Sequence, residues 1–554
     1  MNAKMYVKNF ICLIALFTLL LSACSAATPK AVVKTIVVQK EASTQVSMAE
    51  IPKEVVKTQE VQAQMPLPTA AAGMPLPMPT MAPAATAMPA ILSTPVPPDN
   101  YFQNYGVNPF EDPREDHLST FSLDVDTASY SVARRYVTDG NLPPADSVRV
   151  EEFVNYFDPG YPTPSDIAFA IYADGAFSPF HTDGSYILRI GIQGYEVPES
   201  ERKPASLTFV IDVSGSMEME NRLGLVKQSL ALLVERLRPS DTVAIVVYGS
   251  TAYTMLNPTS GEDRQRILDA IYSLHTEGAT NAEAGLRLGY QLAYQAFRPG
   301  AINRVILCSD GVANVGNTNP NVILDEIGGY TNQGITLTTV GFGMGNFNDV
   351  LMEQLADKGN GMYAYVDDID EARRLFVEKL TGTLQVIAMD AKVQVDFNAD
   401  VVNRYRLIGY ENRAVADTDF RNDTVDAGEI GAGHSAMALY AVLLNPGAQG
   451  RIATVQLRWK NPDTQQVTEI NGNFNTWDLT PGFESADARY QLAVVVAQYA
   501  ELLRFSPWAH GSSIGQVLMH AVRLGGLLPG DKDVAEFVTL VSRASQIQML
   551  LDWK

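Results

Sequence analysis

Cysteine is scarce in this chain, and its scarcity limits how the fold can be stabilised. Only three cysteines occur among 554 residues. Cys12 lies in an N-terminal apolar run and Cys24 lies just after it, while Cys308 lies in a second apolar run, RVILCSD. We expect Cys308 to be a small buried hydrophobic residue. Because the N-terminal run has the features of a removable leader, no disulfide is expected, and packing alone must hold the fold together.

Positive charge is also scarce. The chain carries 41 Lys and Arg against 62 Asp and Glu, which gives a formal net charge of −21. Such a surface repels phosphate backbones, so we expect no nucleic-acid partner, whereas divalent cations and basic partners remain compatible with it. The hydrophobic fraction of 46% is enough for a sizeable core, and the length predicts two to four domains.

Long apolar runs are missing apart from one near the N-terminus. Two lysines in the first eight residues precede the apolar run Phe10–Leu21. A run of this length is too short to span a bilayer but fits the core of a signal peptide. No later segment reaches the roughly 20 apolar residues that a spanning helix needs. The sequence therefore predicts an exported protein with a signal peptide at 1–23.

The end of the signal peptide indicates a lipid anchor. The run is followed by LSAC, residues 21–24, which resembles the bacterial lipobox. In lipoproteins with this motif the cysteine becomes the lipidated first residue, which implies lipidation of Cys24 and an extracytoplasmic protein held on the cell membrane. The alternative is an ordinary signal peptide with an incidental cysteine. The sequence leaves open whether the membrane is the inner or the outer one.

Composition and hydrophobic periodicity divide the rest of the chain into four parts. Residues 24–100 are rich in Pro, Ala and Met and predict a disordered linker. Residues 101–204 alternate between strand and helix patterns and predict a small α+β domain. Residues 205–385 predict an α/β domain, and residues 386–554 predict an antiparallel β-sandwich followed by helices.

The segment 205–385 has the pattern of a doubly wound, mostly parallel sheet, as in Rossmann-like folds. Strand-like runs such as LTFVID, TVAIVVYG and RVILCSD alternate with helix-like runs. Repeated βα units of this kind form a mostly parallel sheet that is covered by helices on both faces. The short step from IVVYG to AYTML predicts one antiparallel edge strand. In the doubly wound order 3-2-1-4-5-6, the first and fourth strands are neighbours.

Polar side chains follow these two neighbouring strands. Asp212, Ser214 and Ser216 come directly after the first strand, in DVSGS, and Asp310 ends the fourth strand, in SDG. Thr280, in EGATN, lies in a loop predicted at the same edge. Ligands of open α/β sheets bind beyond the carboxyl ends of the strands, at the point where the strand order reverses. We therefore expect two carboxylates and three hydroxyls to converge there.

Such a set of oxygen atoms suits a hard divalent cation. Mg²⁺ and Mn²⁺ prefer oxygen ligands, and two close carboxylates repel each other unless a cation lies between them. Neutral hydroxyl ligands would leave the cation able to accept one more anionic oxygen from outside. The sequence thus predicts a metal-bridged docking site for an unidentified protein, or another partner that carries acidic groups.

At this point the sequence resembles a known family. DVSGS, the Thr of GATN and the Asp of SDG, in this order, are similar to the metal-ion-dependent adhesion site of the von Willebrand factor A domain. The resemblance implies that Ser214, Ser216 and Thr280 touch the metal, and that Asp212 and Asp310 act largely through water. The flanking phrases FSLDVDTASY, VRVEEFVNYF and RLIGYENR resemble those of bacterial YfbK-type lipoproteins. An adhesion module, not an enzyme, is the function implied.

Three alternatives remain open at this stage. Asp and Ser after a strand often cap the next helix, which would leave DVSGS without a metal. The protein would then be a structural component of the cell envelope with a vestigial site. A metal-dependent hydrolase is the third alternative, but it needs a general base, and only Glu277 lies in the three loops. The motif GSSIG around Ser513 is interpreted as a helix-to-helix turn, since a nucleophile elbow needs a preceding strand.

Overall fold

The computed structural model describes residues 100–552, apart from 124, 166, 312–328, 332 and 345–346. The predicted signal peptide, Cys24 and nearly all of the predicted linker lie outside the described residues. Within the described part, no helix combines the length and hydropathy that crossing a membrane requires. The described strands form three sheets.

The strands and helices are numbered here in chain order. The strands are β1 (Leu118–Ser122), β2 (Phe169–Phe177), β3 (Tyr186–Gly194), β4 (Ala205–Asp212), β5 (Thr242–Tyr248), β6 (Ala252–Ser260), β7 (Ile302–Ser309), β8 (Ile335–Phe342), β9 (Tyr363–Val366), β10 (Val386–Phe397), β11 (Val402–Ile408), β12 (Gly428–Gly431), β13 (Ser435–Leu444), β14 (Arg451–Lys460) and β15 (Val467–Asn475). The helices are α1 (Ala128–Thr138), α2 (Val150–Tyr156), α3 (Arg222–Arg236), α4 (Arg264–Ser273), α5 (Ala282–Gln295), α6 (Asp349–Lys358), α7 (Ile369–Arg373), α8 (Leu380–Leu384), α9 (Ala488–Leu503), α10 (Ile514–Leu527) and α11 (Lys532–Asp552).

The central sheet has six strands in the order β6-β5-β4-β7-β8-β9. All neighbouring pairs are parallel except β5 and β6, which form an antiparallel hairpin. The predicted doubly wound α/β fold is confirmed, together with the contact between its first and fourth strands, β4 and β7. Every residue of β4 is buried, because helices cover both faces of the sheet.

Two hydrophobic clusters cover the two faces of this sheet. On one face, Phe209 packs in a cluster with Leu230 of α3 and Ile267 of α4. On the other face, Val210 packs in a cluster with Leu286 of α5 and with residues of α6 and α1. Alternate residues of the buried strand β4 thus point to opposite helical layers, as the pleat requires.

The regions on either side of the central domain share their sheets. One sheet contains β1, β10, β12, β14 and β15, and the other contains β2, β3, β11 and β13. Strand β3 pairs antiparallel with β13, so that Ile190 lies opposite Ala438. The predicted separate domain at 101–204 therefore has no sheet of its own, and its strands complete the sandwich of the C-terminal region. Periodicity reveals a strand but not its partner, which explains the difference.

The two sheets enclose one core, and helices cover the outer face of the four-stranded sheet. Ile171 and Tyr440 of that sheet share a core with Val393 and Val455 of the other. On the outer face, Met437 belongs to a cluster that also contains the buried faces of α1, α2, α9, α10 and α11. The N-terminal helices therefore pack with the C-terminal helices, and this arrangement too lies beyond the reach of local sequence patterns.

Buried ion pairs join the central domain to this flanking body. Arg134 on α1 donates to Asp367 at 2.5 Å, to Glu371 at 2.8 Å and to Glu536 at 3.0 Å. Arg149, which immediately precedes α2, donates to Asp349 of the central domain at 2.7 Å. These arginines are almost completely buried. Breaking such buried pairs is costly, so they tie the two parts together.

Candidate metal site at the carboxyl edge of the central sheet

Asp212 is the last residue of β4, and its side chain is completely buried. The backbone N–H of Ser214 donates to Oδ1 at 2.8 Å, and the hydroxyl of Ser309 donates to Oδ2 at 3.0 Å. Burial, together with the charge of the nearby Asp310 carboxylate, raises the pKa of the Asp212 carboxyl to about 7. The ionised form of Asp212 is therefore disfavoured until a positive charge is supplied.

The two serines of DVSGS lie side by side on the loop after β4. Their hydroxyl oxygens are 3.0 Å apart, and Ser214 is buried while Ser216 is half-buried. The next helix, α3, begins only at Arg222, after a 3₁₀ turn over Gly215–Asn221, and no side chain caps its first turn. The serines thus do not cap α3, which leaves the capping alternative without support in this geometry.

The loop that carries Thr280 is hydrogen-bonded to the loop after β4. The N–H of Gly215 donates to the carbonyl of Gly278 at 3.2 Å, and Thr280 is buried. The same loop packs closely on Gly249, the residue after β5: a Cβ at Gly249 would lie 2.3 Å from the carbonyl oxygen of Glu277. A residue with a side chain at 249 would therefore push the Thr280 loop away from the sheet edge.

Asp310 follows β7 and is buried next to the Asp212 carboxylate. The guanidinium of Arg222 donates to Oδ2 of Asp310 at 2.9 Å and also donates to the carbonyl of Met344. Arg222 is 3% exposed, so this ion pair lies in a desolvated environment. The sequence analysis did not identify Arg222, because nothing in its spacing from the serines indicates that its side chain turns back to the strand end.

Two further residues of the site were not identified from the sequence. Ser309, the last residue of β7, binds Asp212 and also accepts the N–H of Gly311 at 3.0 Å. The phenol of Tyr248 is buried at the same edge, and its pKa is raised well above the ordinary value, first by burial and then by the Asp212 charge. The only signal for both was position, since each ends a strand next to β4.

The residues present fit a hard divalent cation. All five predicted ligands carry oxygen. Asp212 and Asp310 lie at the carboxyl ends of the adjacent strands β4 and β7, the two serines lie on the loop after β4, and Thr280 lies on the loop before α5. Asp212 forms no ion pair with a described residue, and Asp310 is paired with one arginine. Among the described residues, no cluster of three or more His, Cys, Asp or Glu side chains is suited to a metal. The predicted ligands do not form such a cluster, because only two of them are carboxylates and the other three are hydroxyls. Hydroxyls and carboxylates are the ligands that Mg²⁺ and Mn²⁺ prefer.

The GSSIG motif around Ser513 lies at the start of a helix. Ser513 is the N-cap of α10, and its hydroxyl accepts the N–H of Gln516 at 3.3 Å. The helix α9 and a short 3₁₀ turn precede it, with no strand between them. The interpretation as a helix-to-helix turn is confirmed.

Similarity to known proteins establishes the family. Protein YfbK of Escherichia coli (strain K12) is 35% identical to this chain over 474 residues, which cover 80% of this chain and 81% of the E. coli protein. The chain belongs to the YfbK family. The family model "Uncharacterized protein YfbK, C-terminal" matches residues 382–452 and 445–547. The model for the von Willebrand factor type A domain matches residues 206–378, and a model described as von Willebrand factor matches 97–188.

Other similarities cover smaller shares of this chain. Inter-alpha-trypsin inhibitor heavy chain H4 of Bos taurus is 28% identical over 219 residues, which are 35% of this chain and 24% of that protein. Among solved structures, a von Willebrand factor type A protein from Catenulispora acidiphila matches at 15% identity with a TM-score of 0.40. That match covers 67% of this chain and 89% of the other.

Proposed function

We propose that this protein is a lipid-anchored, extracytoplasmic binding module that docks a partner through a divalent cation, Mg²⁺ or Mn²⁺. One observation carries the proposal: the buried carboxylate of Asp212 forms no ion pair with a described residue, while a second carboxylate, that of Asp310, and the loops that carry the three hydroxyls lie at the same edge of the central sheet. The role is binding, without catalysis. The proposed metal ligands are Asp212, Ser214, Ser216, Thr280 and Asp310.

Each group has a distinct part in such a site. The hydroxyls of Ser214, Ser216 and Thr280 would hold the cation without adding charge, while the carboxylates of Asp212 and Asp310 would supply the negative charge. A cation held by mostly neutral ligands retains affinity for another anionic oxygen. A carboxylate of the partner would supply that oxygen, which makes the contact charge-assisted.

The anchoring part of the proposal depends on the sequence LSAC at residues 21–24. Lipidation of Cys24 would hold the protein at the cell membrane, outside the cytoplasm. Mass spectrometry of the membrane fraction tests this directly. We expect diacyl-modified Cys24 at the N-terminus of the mature wild-type protein and an unprocessed, unacylated Cys24→Ser variant. The same lipid-modified mass on the variant would refute the anchor.

The metal part is tested by calorimetric titration of the purified protein with Mg²⁺ and Mn²⁺. We expect saturable binding by the wild-type protein and no binding by Asp212→Asn. Asp463→Asn is the matched control, because Asp463 is 63% exposed and pairs with Lys203 on the surface. Absence of binding by the wild-type protein at about 10 mM metal, equivalent to less than roughly 3 kcal/mol of binding free energy, would contradict the proposal.

One observation favours a second candidate, a structural envelope protein whose site holds no metal. The Arg222 guanidinium already pairs with Asp310 and supplies a positive charge at the place where a cation would bind. The same titration separates the candidates. Binding by the wild-type protein supports the docking site, whereas binding only after Arg222→Met would mean that the arginine replaces the metal.

A further inference from the structure

A cleft of about 570 Å³ lies away from the carboxyl edge of the central sheet, among several separate parts of the chain. Its walls come from the segment α7–α8, from the chain after α2, from the turn at 196–199 and from the turn between β12 and β13. None of the five proposed metal ligands lines it. Its volume lies within the range of small-molecule sites, which often form where parts of a fold meet.

Lys379 lines this cleft and has no ion-pair partner among the described residues. It follows a π-helical turn over Arg374–Glu378, a local geometry that recurs at functional sites. The side chain of Lys379 is exposed to solvent in the cleft. An ammonium group in such surroundings gains from an anion placed beside it.

Other charged groups of this wall already have partners. Arg374 donates to Asp533 at 2.5 Å and lies over the ring of Tyr156. Glu371 accepts from Arg134, and Glu378 pairs with Lys532 at 2.7 Å. The ammonium group of Lys379 is therefore left to interact with whatever enters the cleft.

A neutral histidine completes the Lys379 corner. Burial lowers the pKa of His434 to about 3, and the charge of Lys379 contributes to this shift, so the ring stays neutral at physiological pH. Its Nδ1 atom is buried without a hydrogen-bond partner in the described structure. A Cβ at Gly382 would lie 2.6 Å from the ring, which shows how closely the ring packs on that glycine. The ammonium group of Lys379 thus shares this corner with an uncharged ring.

The turn at 196–199 adds negatively charged side chains to the lining of the cleft. Glu196 lies beside Gly433, and its carboxylate accepts one hydrogen bond, from the hydroxyl of Thr163 at 3.1 Å. Glu199 lines the same wall and forms no ion pair with a described residue. The cleft therefore offers an ammonium on the Lys379 side and carboxylates on the Glu196 side.

We propose that this cleft binds a zwitterionic amino acid or short peptide, with its carboxylate paired to Lys379 and its ammonium group held by Glu196 and Glu199. Complementary charges on one small ligand satisfy both walls, whereas a simple anion or cation satisfies only one. The proposal is independent of the metal site, so binding should persist in a chelator.

Calorimetry with three related probes tests the proposal on the whole protein. Triglycine carries both charges, triglycinamide lacks the carboxylate, and N-acetyltriglycine lacks the ammonium group. We expect triglycine to bind about tenfold more tightly than either blocked form, a difference of roughly 1.4 kcal/mol. Equal affinity for all three, or no binding of triglycine at about 50 mM, would overturn the proposal.

Variants of the protein test which residue binds each end of the ligand. We expect Lys379→Met to weaken triglycine binding about tenfold while leaving triglycinamide unchanged, and Lys379→Arg to retain most of the affinity. Glu196→Gln should weaken triglycine but not N-acetyltriglycine. Lys203→Met is the control, since Lys203 pairs with Asp463 on the surface. Unchanged triglycine binding by Lys379→Met would also overturn the proposal.

Discussion

The negative charges of two groups of buried acids in this protein are compensated in different ways. At the junction between the central domain and the flanking body, Asp367 and Glu371 share the guanidinium of Arg134. At the carboxyl edge of the central sheet, Asp212 is equally buried but receives only hydrogen bonds from Ser214 and Ser309. The described residues thus provide a counter-charge for the junction acids and none that pairs with Asp212.

This difference separates a stabilising cluster from the proposed binding site. A carboxylate removed from water needs an opposite charge nearby, or it takes up a proton. The junction acids obtain that charge from Arg134 within the chain, so these ion pairs hold the folded structure together. No described residue forms an ion pair with Asp212 itself, and this is why we propose that a bound cation supplies the charge.

The largest expected effect is at the junction. Arg134→Met should leave Asp367 and Glu371 buried without their cation and lower the free energy of unfolding by about 3–5 kcal/mol. Denaturant unfolding measures the change. Arg135→Met is the control on the same helix, because its pair with Asp139 is partly exposed and should contribute less than about 1 kcal/mol. Equal effects of the two variants would remove the distinction between the clusters.

Metal should stabilise the protein through the proposed site at Asp212, and the junction should not contribute to this effect. At a Mg²⁺ concentration about 100 times the dissociation constant, we expect the free energy of unfolding to rise by about 2.7 kcal/mol. Asp212→Asn should lose this increment, yet be no less stable than the wild-type protein in chelator, because repulsion from Asp310 is relieved. Thermal unfolding with and without metal tests both points. A metal effect retained by Asp212→Asn would contradict the site.

Glu151, in the flanking body, tests whether a buried acid that forms no ion pair with a described residue behaves like Asp212. Burial, with contributions from Glu411 and Glu152, raises the pKa of Glu151 from 4.5 to about 7. The folded protein therefore holds this proton more tightly than the unfolded chain, so the stability it contributes is full below pH 4.5 and is lost as the pH rises to about 7.

Glu151→Gln should remove this pH dependence. The amide keeps an oxygen that can accept the N–H of Tyr410, so at pH 8 the variant should be more stable than the wild-type protein by on the order of 2 kcal/mol. Unfolding curves between about pH 5 and pH 8 give the comparison. Glu262→Gln, at an exposed position, should show no such change. A parallel pH profile for Glu151→Gln and the wild-type protein would refute the assignment.

The smallest expected effect concerns the hydrogen bond that orients Asp212. Ser309→Ala should weaken Mg²⁺ binding about tenfold, since groups that orient metal ligands typically contribute this much. Calorimetric titration measures the affinity, and Ser206→Ala, at the opposite end of β4, is the control. An unchanged affinity would show that the bond to Ser309 does not position Asp212.

Much of the central domain could be predicted from the sequence. Its strands and helices alternate along one continuous segment, so short right-handed connections leave few possible strand orders. The predictions of Asp212, Ser214, Ser216 and Asp310 as metal ligands followed from that order, because the carboxyl ends of β4 and β7 are neighbours. Arg222 and Gly249 could not be predicted, since the direction of an arginine side chain and the close approach of a loop depend on the packed structure.

The sequence by itself determined the α/β central domain, the oxygen-rich motif and the excess of acidic residues, because each depends on periodicity, residue type or local order. Only the tertiary structure decided that β3 pairs with β13 and that Arg222 binds Asp310. Only the tertiary structure placed Lys379 in a cleft where no described residue forms an ion pair with it. These features join residues that are far apart in the chain, and such pairings are selected by the burial of whole surfaces, which local sequence patterns do not encode.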